Sequence, residues 1–185
     1  VKVLSLFFID RVMNYREYTA NGASKGKFAK WFEEAYSKVA SKSKYAGVMD
    51  SLSASEVHDG YFAADKSGQW KDSRDTKGEG GRTKDDDTAY NLIMKDKERL
   101  LDPGEPLRFI FSHSALKEGW DNPNVFQICM MRESGSENDR RQTIGRGLRL
   151  PVRQDGTRVF DEQINQLMVV ANESYRDFAN NLQKE

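Results

Sequence analysis

Residues 109–152 read FIFSHSALKEGWDNPNVFQICMMRESGSENDRRQTIGRGLRLPV, and the fold is decided by how this stretch divides. Two short apolar runs, Leu107 to Phe111 and Val125 to Met131, have the length and residue types of strands buried on both faces. Between them lies a polar loop with a sharp Gly119-Trp120-Asp121 turn, and after the second run a helix is predicted near Arg140 to Leu148. Strand alternating with helix predicts a parallel sheet with helices on its faces.

Working outward, Val1 to Ile9 (VKVLSLFFI) has the pattern of a central strand. Asp10 to Tyr18 then places Arg11, Asn14, Tyr15 and Arg16 at that strand's carboxyl end, where ligands gather in open α/β sheets. A plain surface loop is the alternative. Gly22-Ala23-Ser24-Lys25-Gly26-Lys27 fails as a phosphate-binding loop, because its glycines are one residue too close and Phe28 replaces the metal-binding hydroxyl. It reads as a flexible entry to a helix whose face is Phe28, Phe32, Ala35 and Val39. Tyr45 to Asp50 is expected to be a strand, and Gln166 to Ala171 another buried one.

Residues 51–84 are polar and glycine-rich, and are expected to be a small insertion in which Gly60 to Asp65 pairs with Gln69 to Asp72 as a hairpin. Asp72 to Arg82 is expected to be mobile. Asp85-Asp86-Asp87-Thr88 opens a helix predicted to run to Leu101 and stopped by Asp102-Pro103-Gly104. The three aspartates are helix-start chemistry rather than a metal site, since adjacent residues point apart. A last helix is predicted over Tyr175 to Gln183.

Bulk properties narrow the function classes. A chain of 185 residues is about one domain, and an apolar fraction of 37% is low for it, so the core must be concentrated in a few segments. Net charge is zero, so any nucleic-acid surface must be local. The six arginines between Arg140 and Arg158 supply such a patch, with a solvated charged face as the alternative. The one cysteine, Cys129, lies in an apolar run and reads as a structural thiol in a reducing, cytoplasmic setting. No run is long enough to span a membrane and no signal peptide opens the chain, while a first residue other than Met suggests a fragment.

Ser112, His113 and Ser114 are not a hydrolase triad, because that chemistry needs groups converging from separate segments. Their loop offers small hydroxyls, backbone N–H groups and a tight turn, which suit a nucleic-acid phosphate or a nucleotide ribose. Gln142, Arg146 and Arg149 stand at i, i+4 and i+7, one stripe of a helix. Gly145 and Gly147 beside them each cost about 1 kcal/mol relative to Ala, which suggests close approach by another backbone or a ligand. A pair of arginines suits the equatorial oxygens of a transferring γ-phosphoryl group. On spacing alone, an arginine-rich helix making surface ion pairs is the stronger alternative.

Gln142-x-x-Gly145-Arg146-x-x-Arg149 resembles motif VI of superfamily 2 helicases and translocases, and Ala115 to Pro123 (ALKEGWDNP) resembles their motif V. More closely, LSLFFIDRVMNYREY (4–18), LIMKDKERLL (92–101), FIFSHSALKEGWDNPNVFQIC (109–129) and VVANESYRDFANNLQKE (169–185) resemble the restriction (Res) subunit of type III restriction-modification enzymes. The resemblance implies a RecA-like domain, the second of an ATP-dependent translocase that recognises and cleaves duplex DNA together with a methyltransferase subunit. It implies that Arg149 is the arginine finger, Arg146 a second γ-phosphate contact and Gln142 part of the nucleotide-side network. Gly119 and Asp121 would couple nucleotide to DNA grip, and Ser112, Ser114, Lys117, Arg11 and Asn14 would face the DNA. ATP and Mg²⁺ would be held mainly by a preceding RecA-like domain, and the isolated chain would be inactive. An excision-repair type of DNA helicase and a non-catalytic DNA- or protein-binding module are the alternatives.

Overall fold

The computed structural model describes residues 1–47, 52–64, 68–72, 97–113, 122–133, 137–171 and 180. Its centre is a five-stranded, wholly parallel sheet built from β1 (Leu4–Phe8), β4 (His58–Tyr61), β7 (Phe109–Ser112), β8 (Val125–Met130) and β9 (Met168–Val170), in the order β4-β7-β1-β8-β9. The LSLFF strand is therefore central, as its two-sided apolar pattern predicts. The α/β class is observed, and the arrangement is consistent with a RecA-like fold.

Side-chain alternation along the strands divides the core in two. Leu4, Leu6 and Phe8 of β1, Ile110 of β7 and Ile128 and Met130 of β8 pack on one face. Leu100 of α2 (Lys97–Leu101) and Ile144 of α3 (Glu137–Gly145) cover them. On the other face, Phe7 and Phe111 meet α1 (Lys27–Ala40) through Phe32, whose ring centroid is 6.0 Å from Phe7 and 5.6 Å from Phe111. Helices thus lie on both faces of the sheet. Among the described residues no helix is long and apolar enough to cross a membrane.

Several expectations need correction. Tyr45 ends a 3₁₀ turn (Ser43–Tyr45) and Ala46 and Gly47 continue it as a turn, while 48–50 lie outside the described residues. The neighbouring edge strand is instead His58–Tyr61, within the stretch expected to be an insertion. Its sequence HDGY carries no apolar run, so pairing with β7 rather than hydrophobic patterning makes it a strand. Gly60 is required there: a Cβ would lie 2.5 Å from Phe62 Cε2, 2.7 Å from Trp70 Cζ3 and 2.8 Å from Tyr15 Cε1. The expected hairpin is present in shorter form, as β5 (Ala63–Ala64) against β6 (Trp70–Lys71).

Gly22 to Lys25 is not a flexible entry but strand β3, antiparallel to β2 (Arg16–Thr19), with Gly22 at φ 109° closing the turn. Of the expected face of α1, Phe28 and Phe32 pack against the core and Val39 is half-buried, but Ala35 is exposed, and the fully buried positions are Ala29 and Tyr36. Gly26 is required at the entry to α1, because a Cβ there would collide with the backbone of Met13 and Asn14. β9 is an edge strand rather than a buried one, with Met168 58% and Val170 55% exposed. Of the helix predicted over Asp85 to Leu101, only α2 falls among the described residues, and of Tyr175 to Gln183 only Asn180, which is helical. Asp72 is described; its carboxylate accepts the Val12 N–H at 2.7 Å.

Candidate functional site

The two arginines singled out by spacing do not share a helical stripe. α3 ends at Gly145, so Gln142 is exposed on the helix while Arg146 and Arg149 follow it. Short-range bonds tighten the exit, Arg146 N–H to Thr143 O at 3.3 Å and Gly147 N–H to Ile144 O at 2.9 Å, as glycine-rich helix ends do. Thr143 and Ile144 face inward and are nearly fully buried. Gly147 does meet a close neighbour, but it is the Leu167 side chain, not another backbone or a ligand; Gly145 faces open space.

Beyond the helix the chain turns back, and Arg149 Nη1 donates to Gly145 O at 3.3 Å and to Arg146 O at 3.2 Å. The exposed guanidinium therefore sits at the negative end of α3, where a cation is favoured. Arg146 is half-buried in the turn beneath it. A cavity of about 240 Å³ adjoins them, lined by Leu148 to Pro151, by Val125 and Phe126 at the start of β8, and by residues leading into β9. Arg149 thus lies at the amino edge of the parallel sheet.

The other predicted group lies at the opposite, carboxyl edge. Ser112 ends β7 and is 1% exposed, and its Oγ has no hydrogen-bond partner among the described residues. His113 follows it, half-buried and engaged. Arg11 is exposed just past β1, but Asn14 is buried, with its side-chain amide bonded to Asp10. Of that pair Arg11 alone faces outward. Ser114, Lys117, Gly119 and Asp121 lie outside the described residues. The structure therefore keeps the Arg149 group and the Arg11 and Ser112 group on separate edges.

Sequence reasoning missed a third constellation. Buried Tyr15 OH is 2.9 Å from His58 Nδ1, His58 Nε2 is 3.0 Å from Glu33 Oε1, and Lys25 Nζ donates to the same oxygen at 2.6 Å. These residues come from the loop after β1, from α1, from β3 and from β4, so no spacing signals them. Tyr15, Lys25 and His58 border a cavity of about 410 Å³ that Arg16 and Asp59 also line, and the Arg16 guanidinium lies 3.8 Å over the Trp70 ring. Because the four groups satisfy one another, the chain of bonds acts as a clamp holding hairpin, helix and edge strand together.

Burial pushes the Tyr15 hydroxyl well up and the His58 imidazole down, the latter opposed by its bond to Glu33. Burial also opposes ionisation of Glu33, but hydrogen bonds from Lys25 and His58 outweigh it and hold the carboxyl below its usual range. A buried His with a lowered pKa is neutral when folded and gains a proton more readily when unfolded. Its contribution is complete above the unfolded value of about 6.5 and is lost as pH falls through the folded value. Stability is therefore expected to decline as pH drops below about 6.5, and less so in His58→Gln. The only other histidine, His113, is common to both proteins and cancels in the comparison. Identical slopes in denaturant titrations across that range would refute the clamp's protonation state.

The half-buried Cys129 thiol is free, and burial raises its pKa, as expected of a structural thiol rather than a nucleophile.

No family model matches the chain. Three curated relatives do. The chain is 42% identical over 167 residues to the Res subunit of the type III restriction-modification enzyme EcoPI of Escherichia phage P1. It is 41% identical over 169 residues to the EcoP15I Res subunit of Escherichia coli and 37% identical over 182 residues to the StyLTI Res subunit of Salmonella typhimurium. These matches cover 87% to 88% of the chain and support the Res family; the chain spans only 16% to 17% of the relatives' own length.

Proposed function

We propose that this chain is the second RecA-like motor domain of a type III restriction enzyme Res subunit, contributing one wall of an ATP site shared with a preceding domain. The observation that carries the reading is Arg149, an exposed guanidinium held by the carbonyls at the end of α3, in a chain similar to Res subunits along nearly nine-tenths of its length. A planar fork in that position suits the oxygens of a γ-phosphoryl group, and Arg146 beneath it and Gln142 one turn back extend the surface. A bound nucleotide would supply the phosphoryl group and its metal the charge neutralisation.

The described residues fit only the outer end of such a nucleotide. Gly22 to Lys25 is an exposed strand rather than a phosphate cradle, and no described group of three or more His, Cys, Asp or Glu could hold a metal ion. In this reading ATP and Mg²⁺ are held mainly by a preceding RecA-like domain. Duplex DNA is assigned to the opposite edge of the sheet, where Arg11 is exposed and Ser112 ends β7, with Ser114 and Lys117 following in sequence. Two edges for two ligands allow one rigid sheet to transmit motion between them. A methyltransferase subunit is the protein partner that the Res relationship implies.

The pure 185-residue chain is expected to release no phosphate from ATP, with or without duplex DNA, whereas the full-length protein turns ATP over when DNA is added. Steady turnover by the isolated chain, surviving repurification, would overturn the shared-site reading.

A further inference from the structure

The loop that carries Arg149 is pinned immediately after it. Asn124, fully buried at the start of β8, uses both side-chain atoms on one residue of that loop. Its Nδ2 donates to Val152 O at 3.1 Å and its Oδ1 accepts the Val152 N–H at 2.8 Å. The amide thereby imitates a β-ladder rung, occupying a backbone donor and acceptor together.

Asn124 is itself fixed from two sides. Its carbonyl accepts the Leu4 N–H of the central strand at 2.9 Å, and its N–H donates to the side-chain oxygen of Asn122 at 3.0 Å, also fully buried. On the loop side, Arg158 Nη1 donates to Leu150 O at 2.8 Å and the Val159 N–H to Pro151 O at 2.9 Å. The carbonyls of all three residues after Arg149 are thus occupied, and the bonds from Asn124 join that ordered turn to the sheet.

Resting on the arginine-finger reading above, we propose that Asn124, oriented by Asn122, is the positioning residue for Arg149. Its bidentate hold on Val152 sets where the guanidinium stands relative to the sheet. A finger acts only if its charge meets the transferring group in register, and a displacement near 1 Å costs about a hundredfold in rate. Asn124 touches no substrate; its effect passes through Val152 and the two residues between it and Arg149.

In the full-length protein, Asn124→Ala is expected to lower the DNA-stimulated kcat for ATP by about a hundredfold with KM within about twofold, the pattern of a lost transition-state interaction. Hydrogen exchange should accelerate in residues 148–153 while β1, β7 and β8 keep their protection. Asn124→Asp preserves the size of the side chain and the acceptor for the Val152 N–H but loses the donor to Val152 O. It is expected to fall between wild type and Asn124→Ala, and keeps the test open if the alanine variant folds poorly. Combined with Arg149→Ala, Asn124→Ala should subtract nothing further from kcat, since no finger remains to be placed.

A wild-type kcat in Asn124→Ala, a loss that adds in full to that of Arg149→Ala, or exchange that rises across the whole sheet would each overturn the proposal. Normal turnover in Arg149→Ala would sink the finger reading itself. Inactive Arg149→Ala beside fully active Asn124→Ala would sink only the positioning role.

Discussion

Arg149→Ala in the full-length protein is expected to reduce DNA-stimulated ATP turnover by about a thousandfold or more, the contribution of an arginine finger in phosphoryl transfer. The fold should survive. Arg149 is exposed, and its described bonds are two long ones to the carbonyls at its own helix end, an interaction worth about 0.3–1 kcal/mol. Arg149→Lys keeps the charge but not the planar fork, so it should recover only part of the rate. Steady-state turnover with saturating duplex DNA, beside a thermal melt of each variant, makes the comparison. Near-normal turnover in Arg149→Ala would remove the finger assignment, and a collapsed melting temperature would show Arg149 to be structural.

The largest stability effect is expected from Phe111→Ala, a loss of about 3–5 kcal/mol. Phe111 is 1% exposed on the second strand of the sheet order and stands where three elements meet. Its ring stacks on Phe7 at 4.7 Å, lies 4.8 Å from Tyr15 and meets Phe32 of α1 edge-on at 5.6 Å. Truncation removes those contacts and leaves a cavity that neighbours rooted in the central strand and in α1 cannot collapse to fill. A domain of this size has about 5–15 kcal/mol of stability in all, so the loss would leave it near the threshold of unfolding. Urea denaturation of the isolated chain measures it directly. A loss below about 1 kcal/mol would mean that the aromatic cluster is not the keystone of that face.

The His58 clamp bears on the same face, since its ring lies 5.9 Å from Phe111. Acid loosening of the clamp and truncation of Phe111 therefore act on contiguous contacts, and their effects should not be additive.

The strands that matter most were legible because interior strands of a covered sheet are rich in apolar residues. LSLFF, FIF and VFQICM are predominantly apolar, and each became a strand in the middle of the sheet, although β8 leaves Gln127 exposed on one face rather than being buried on both as expected. HDGY at the edge did not, because an edge strand needs only one pairing partner and Gly60 serves the rings packed around it. The arginines of the site were legible as residue types and not as a surface. Helical spacing assumed that α3 continued past Gly145, whereas the chain leaves the helix there and brings Arg149 back by a loop. The Tyr15, His58, Glu33 and Lys25 chain had no linear signature at all, since its members meet only once two strands, a helix and a loop are docked.

The sequence by itself determined the α/β class and the central strand, because those depend on local composition, and it marked the arginines worth testing through their motif rather than through helical periodicity. Only the tertiary structure decided that Arg149 faces one edge of the sheet and Arg11 the other. It alone decided that Asn124 holds the loop between α3 and β9. The reason is physical: hydrogen bonds such as those between Asn124 and Val152 join residues that are adjacent only after the sheet has formed, and chain order records no distance of that kind.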